Sequence, residues 1–288
     1  MTGDTLGDLL ERRADGEATA GDGEATTDEG EAESEREGKR KGGGGDLRTE
    51  AAALRAPGDP ERRYDAARLL TDARKTGNFL RQLGVGPGRT VAVADTLTPE
   101  SVLTLFGAAL LGAPTRFVAA DTLASEALDA EARVLVGPVD EIDSIPVNVA
   151  ERVAYGGTPD DPEVAYFERD VWSENPTFPP GGPEGTAIAI EARETEYTHR
   201  QLMDAAAWLI TERGLEAGIE MAVRAPLADP RTVVAGVLAP LACGGTVLLP
   251  DADARGDRAV VALDLGWGIP EPATIDLADV PLDGRRTT

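Results

Sequence analysis

Apolar residues recur three and four apart through two long stretches, 64–118 and 197–250, and both stretches follow one plan. Each opens at a tyrosine (Tyr64, Tyr197), runs through a helical pattern to a glycine (Gly84, Gly214), and steps to a second glycine (Gly88, Gly218). An apolar strand follows, then a proline-bearing loop, an apolar helix and a small-residue turn (Gly112, Gly244) before the next strand. Spacing of three and four places side chains on one helical face, whereas short, mostly apolar runs suit strands buried on both faces. The predicted strands are 89–94, 132–137, 186–191, 219–225 and 245–250.

Helix and strand alternating in this way imply right-handed crossovers and parallel sheets. A repeat spacing of about 130 residues describes a duplicated lobe, not a solenoid. The expected fold is therefore α/β: two similar lobes with mainly parallel sheets flanked by helices. The first lobe is expected over 48–140, a connecting segment over 141–184, and the second lobe with a C-terminal tail over 185–288. Within the connection, 164–185 reads as loop with at most one strand. Residues 1–13 predict a short N-terminal helix with Leu6, Leu9 and Leu10 on one side. An acidic, glycine-rich insert follows over 14–47, and its residues 14–46 include no large apolar side chain. Such a segment cannot bury enough surface to offset its ordering entropy, so it is expected to be disordered.

Charge changes this picture more than composition does. The hydrophobic fraction of 41% is ordinary, but 52 acidic residues against 28 basic ones leave a net charge of −24. Only Lys39, Lys41 and Lys75 are lysines. An excess of this size raises self-repulsion, which salt screens. It fits a halophilic cytoplasmic protein or an acidic surface that docks a basic partner; the scatter of acids along the chain favours the first. No basic stripe exists to displace counterions from phosphates, so nucleic acid is not an expected partner. Cys243 and His199 each stand alone, which excludes a disulfide framework and most zinc sites. The N-terminus has no basic region leading into an apolar one, and no apolar run reaches the roughly 18 residues of a membrane span.

Motifs that would carry chemistry are few. GVGPG at 84–88 stands after a helix and before a strand, the reverse of a dinucleotide loop, so its glycines are read as a helix cap and a turn. The small-residue turns at 109–113 and 242–246 are read as close backbone packing. His199 could act as a base near neutral pH, but it sits in the first turn of a helix that Thr198 caps, and no partner is identifiable. No carboxylate pair, no Ser/His/Asp set and no nucleophile elbow stands out.

The phrases nonetheless fall in a telling order. TLGDLLER (5–12), ALRAPG (53–58), LGVGPGRTVAVA (83–94) and PESVLTLFGAALLGA (99–113) are followed by TAIAIE (186–191), YTHRQL (197–202), APLADP (225–230) and VVAGVLAPLACGGTVLLP (233–250). This order resembles the large domain of the adenylate-forming (AMP-binding) enzymes, which include acyl-CoA synthetases, luciferases and peptide-synthetase adenylation domains. The resemblance covers most of the chain outside the insert. It implies ATP/AMP or CoA as the cofactor, none of them assigned to a residue here, and a Ser/Thr/Gly-rich phosphate loop ending in Pro-Lys-Gly. That loop should fall between Ile190 and Tyr197, where only EARETE stands. Three carboxylates around one arginine repel a triphosphate rather than cradle it.

Other departures point the same way. Ala228 and Asp229 stand where the family often carries an aromatic residue and a histidine. The chain stops at Thr288, before the family's ribose-binding aspartate and the small C-terminal domain with its catalytic lysine. No catalytic residue carries over; Thr198 and His199 of the YTHRQL phrase remain the candidates for cofactor contact, and no metal is expected. The expectation is a non-catalytic relative, binding a small molecule or a synthetase partner chain in a regulatory role. The alternative is an acid–thiol (acyl-CoA) ligase, or one subunit of a split ligase whose partner supplies the lysine-bearing domain. A third reading makes the resemblance architectural only.

Overall fold

The computed structural model describes residues 5–22, 52–58, 60–119, 122–123, 131–145, 150–178, 181–249, 251, 253–262 and 268–286. Local chemistry accounts for the main helices. Helix α1 (Leu6–Asp22) buries Leu6, Leu9 and Leu10. Helix α2 (Ala66–Gln82) starts where the Asp65 carboxylate accepts from the Arg68 amide. Helix α3 (Pro99–Leu110) has Thr98 as its cap and Pro99 in the first turn, and all of its residues are buried. After two short helices, α4 (Val139–Ile142) and α5 (Phe167–Asp170), comes α6 (His199–Arg213). It opens with a reciprocal cap between Thr198 and Gln201 and ends at Gly214 in the left-handed conformation, φ 57°. A last helical run joins α7 (Pro230–Thr232), a π-helical stretch (Val233–Leu238) and α8 (Ala239–Cys243), closing at Gly244 with φ 85°.

Fourteen strands among the described residues form two sheets. In the first, β3 (Val91–Ala94) and β4 (Thr115–Val118) lie parallel to β5 (Val134–Pro138), β6 (Glu151–Tyr155) and β7 (Ala165–Tyr166), in the order β4-β3-β5-β6-β7. The strand β8 (Ile188–Ala192) joins beside β4, again parallel. It folds back as β9 (Thr195–Thr198), and β14 (Arg285–Arg286) pairs antiparallel with β9. The second sheet runs β13 (Thr274–Asp276), β12 (Arg258–Val261), β10 (Glu220–Arg224), β11 (Thr246–Leu248), β1 (Leu54–Ala56) and β2 (Arg62–Tyr64). All its neighbours are parallel except β1 and β2. Two mainly parallel sheets flanked by helices are thus observed, as the alternation predicts.

The expected lobe boundaries do not follow these sheets. Strands β1 and β2 precede the first lobe's helices yet complete the second sheet, with Leu54 opposite Val247. Conversely, β8 and β9 lie beyond residue 185 yet extend the first sheet through Thr115 and Ile190. Apolar periodicity reports which face of a strand is buried, not which neighbour it pairs with, so this exchange leaves no mark on the pattern. The connecting segment 141–184 is also more structured than expected, since it supplies β6, β7 and α5. Arg152 interrupts the apolar run of β6; it is buried, donating to the Ile145 carbonyl at 3.0 Å and to Asp161 at 2.6 Å. The N-terminal helix runs to Asp22 instead of ending at 13, because Glu and Ala continue a helix that the leucines have docked. The rest of the expected insert, 23–47, lies outside the described residues.

One continuous apolar core serves both halves. Helices α2 and α3 pack against each other so closely that a Cβ on Gly107 would lie 2.8 Å from the Gly77 amide nitrogen. Helix α1 crosses both and reaches α8, while α6 packs on the π-helical stretch and α8. The glycines of 84–88 form the turn between α2 and β3, with the Gly84 amide donating to Arg81, as read from the sequence.

Candidate functional site

The stretch EARETE is a tight hairpin. Ala192 of β8 pairs with Thr195 of β9, which leaves Arg193 and Glu194 as the whole turn. Arg193 adopts φ 54°, a conformation that costs a non-glycine residue on the order of 1 kcal/mol. Its side chain is exposed, and no hydrogen bond or ion pair engages it among the described residues. The neighbouring Glu191 carboxylate is directed elsewhere. Glu191 accepts from the Thr90 hydroxyl at 3.1 Å and from Arg116 at 3.2 Å.

The hairpin tip forms one wall of a cleft of about 720 Å³, large enough for a small organic ligand. The carboxyl end of β4 supplies Arg116 and Phe117, the segment after β10 supplies Asp229 and Arg231, and residues 280–283 close the far side. Clefts at the carboxyl ends of parallel strands are the usual ligand position in open α/β sheets. The wall after β10 is held from the opposite sheet: Asp95, just beyond β3, accepts from the Leu227 amide at 2.7 Å and the Ala228 amide at 3.1 Å. Burial raises the Asp95 pKa, and those two amides counteract it. Asp229 then caps the next helix and grips Arg231 through two bonds of 2.6 and 2.9 Å, which holds that guanidinium more firmly protonated. Burial raises the Tyr197 pKa, and the Asp229 charge adds to the shift.

The arrangement has a simple charge consequence. Arg116 is paired with Glu191, and Arg231 with Asp229, so the cation left for a ligand among these lining residues is Arg193. Such a cleft can accept one anionic group and has little to offer a polyanion.

Thr198 and His199 take no part in the cleft's lining. The Thr198 hydroxyl donates to Gln201 Oε1 at 2.9 Å and accepts from the Gln201 amide, so the cap consumes it. His199 is completely buried; its Nδ1 accepts from the Leu6 amide at 3.3 Å and its own amide donates to Ala187. Burial lowers its pKa to about 4, only partly opposed by Asp8, so the imidazole is neutral. Sequence reasoning missed Asp95 and Arg116. An acid directly after a four-residue buried strand is a signal for the first; for the second, an arginine inside an apolar strand is the only trace.

The sequence matches no protein-family model and no curated protein. Among solved structures the chain is similar to the anthranilate CoA ligase AuaEII in complex with anthranoyl-AMP. The TM-score is 0.64 at 21% identity, over 75% of this chain and 48% of that one. The fold is that of an adenylate-forming ligase. The chain spans about half of the ligase's length, and its two sheets match part of the ligase architecture. At this identity the likeness concerns the scaffold, while the site must be argued from its own residues. Among the described residues no helix is long and apolar enough to cross a membrane, and no three His, Cys, Asp or Glu groups gather as metal ligands.

Proposed function

We propose that this chain is a ligand-binding relative of the adenylate-forming ligases that does not itself form adenylates. The two-residue turn at Arg193 and Glu194 carries this reading. Adenylate formation requires a nest of amides and hydroxyls around the phosphates, together with a cation at the developing charge. A hairpin closed by a two-residue turn between Ala192 and Thr195 offers no such nest, and the residues flanking its single arginine in the sequence include Glu191, Glu194 and Glu196 but no glycine, serine or lysine. The cleft beside it retains volume, an apolar floor at Phe117 and one available guanidinium. These features favour recognition of a small molecule with one anionic group, in a binding or regulatory role.

Pyrophosphate exchange with a panel of carboxylic acids tests the reading. The expected result is no exchange above background, combined with a thermal-shift response to AMP, with its single phosphate, that exceeds any response to the polyanions ATP and CoA, measured in molar salt. Exchange by the chain alone with any acid overturns the proposal. Exchange that appears only when a second polypeptide is added replaces it with a split acid–thiol ligase. The acidic excess is part of the same reading: we place the protein in a salt-rich cytosol, where carboxylates are screened.

A further inference from the structure

We propose that His199 is an acid-sensitive latch that holds helix α1 across the two halves of the core. The helix is placed to act as a strap. It packs on α2 and α3, which precede the hairpin, and on α8, which follows it. Leu6, Leu9 and Leu10 are 0–2% exposed, and Arg13 donates to the carbonyls of Gly244 and Gly245 at 3.4 Å.

A helix start leaves amide donors without partners inside the helix. Here Thr5 and Asp8 satisfy each other reciprocally, the Thr5 amide donating to Asp8 Oδ2 and the Asp8 amide to Thr5 Oγ1. The Leu6 amide between them donates instead to His199 Nδ1, 193 residues away. An imidazole that accepts at Nδ1 carries its proton on Nε2. That Nε2 is buried and has no hydrogen-bond partner among the described residues. Protonation would place a second donor against the Leu6 N–H and a charge in an apolar enclosure. Departure of α1 relieves both, because it opens the ring to water.

The surroundings do little to stabilise an imidazolium. Asp8 on α1 is the charge that acts on the ring. The π-helical stretch and α8 carry no charged residue. Strands β8 and β9 carry Glu191 and Glu196, which lie toward the hairpin tip, about 10 Å along the strand from its base. Arg200 follows His199 on α6 and is exposed, whereas Glu11 on α1 pairs with Arg74 of α2. Burial wins, and the ring's pKa falls from 6.5 to about 4. Docking is therefore unaffected above about pH 6.5 and weakens as pH falls from there toward 4, because the released state takes up the proton first.

Hydrogen exchange of the full chain in molar salt tests the latch, with rates corrected for intrinsic chemistry. Between about pH 7.5 and about pH 5.0, protection of the α1 amides is expected to fall about 30-fold relative to β10. His199→Asn presents an amide oxygen near the Nδ1 position and does not titrate, so its α1 protection should be the same at both pH values. His199→Phe removes the acceptor and should expose α1 at neutral pH while β10 stays protected. Equal α1 protection of the wild type at both pH values overturns the proposal; so does an identical acid response in His199→Asn, which would assign it to carboxylates. Should the variants fail to fold, the chain's single histidine gives one imidazole NMR signal in the wild type. A midpoint near the ordinary 6.5 with α1 docked overturns the latch as well.

Discussion

Asp95 accepts a 2.7 Å hydrogen bond from the Leu227 amide, 132 residues further along the chain. The bond ties the end of β3 in the first sheet to the loop after β10 in the second, and the Ala228 amide shares the same carboxylate. Since Asp229 and Arg231 follow directly, Asp95 positions the charged wall of the cleft without lining it. Asp95→Ala leaves the part-buried Leu227 amide and the exposed Ala228 amide without their acceptor and is expected to cost about 1–3 kcal/mol, most of it from Leu227. Asp95→Asn should also destabilise, because its amide nitrogen faces one of the two donors. Denaturant unfolding measures both, and a neutral Asp95→Ala would show that the loop holds itself.

Much of the scaffold was legible in the chain, for definable reasons. Local signals survive translation into structure: Thr198 with Gln201 makes the predicted cap, Gly214 and Gly244 end helices, and the apolar runs become buried strands. The loss of a phosphate loop was legible from the lack of glycine and serine between Ile190 and Tyr197, but the fold-back of that stretch into β9 was not. Pairing choices were not, because β1 meets β11 across most of the chain and nothing local encodes that neighbour. Buried polar solutions were equally silent. Nothing in the sequence announces that Arg152 is buried against Asp161, or that the partner of the His199 ring is the Leu6 amide, 193 residues away. The cleft draws its charged groups from β4, the hairpin, the cap and first turn of α7 and the C-terminal segment, so no window of sequence displays it.

Close helix packing makes a sharp test of the core. A Cβ at Gly107 would lie 2.8 Å from the Gly77 amide nitrogen and 2.9 Å from Thr76 Cγ2, on a helix that cannot retreat without opening the core. Gly107→Ala should therefore destabilise by about 1–3 kcal/mol, despite the better helix propensity of alanine. Gly16 on α1 is the control, since a Cβ there meets nothing within 4 Å. Gly16→Ala should stabilise by about 0.5–1 kcal/mol. Thermal unfolding of the two variants should move in opposite directions.

The charge balance predicts a strong dependence on salt. With a net charge of −24, like charges repel across the surface of the folded state. Raising KCl from about 0.1 M to about 1 M shortens the screening distance from about 10 Å to about 3 Å. A gain of about 2 kcal/mol from that screening raises Tm by roughly 4–8 °C for a chain of this size. Calorimetry at both salt levels checks this, and a flat Tm would assign the acidic excess to partner recognition.

Arg193 separates stability from binding. Its backbone sits at φ 54°, where glycine is free of the strain that an arginine bears. Its guanidinium also supplies the cleft's available positive charge. Arg193→Gly should thus leave the fold intact and make it more stable by about 0.5–1 kcal/mol. The same change should abolish the thermal shift produced by whichever anionic ligand the wild type binds. Arg193→Lys keeps the charge and the strain, so it should retain most of the shift and none of the added stability. If Arg193→Gly binds the ligand as well as the wild type does, the anion is held elsewhere, and the paired Arg116 and Arg231 become the groups to vary next. A loss of both stability and binding would show instead that the turn depends on its arginine for folding, which the exposed, unengaged side chain argues against.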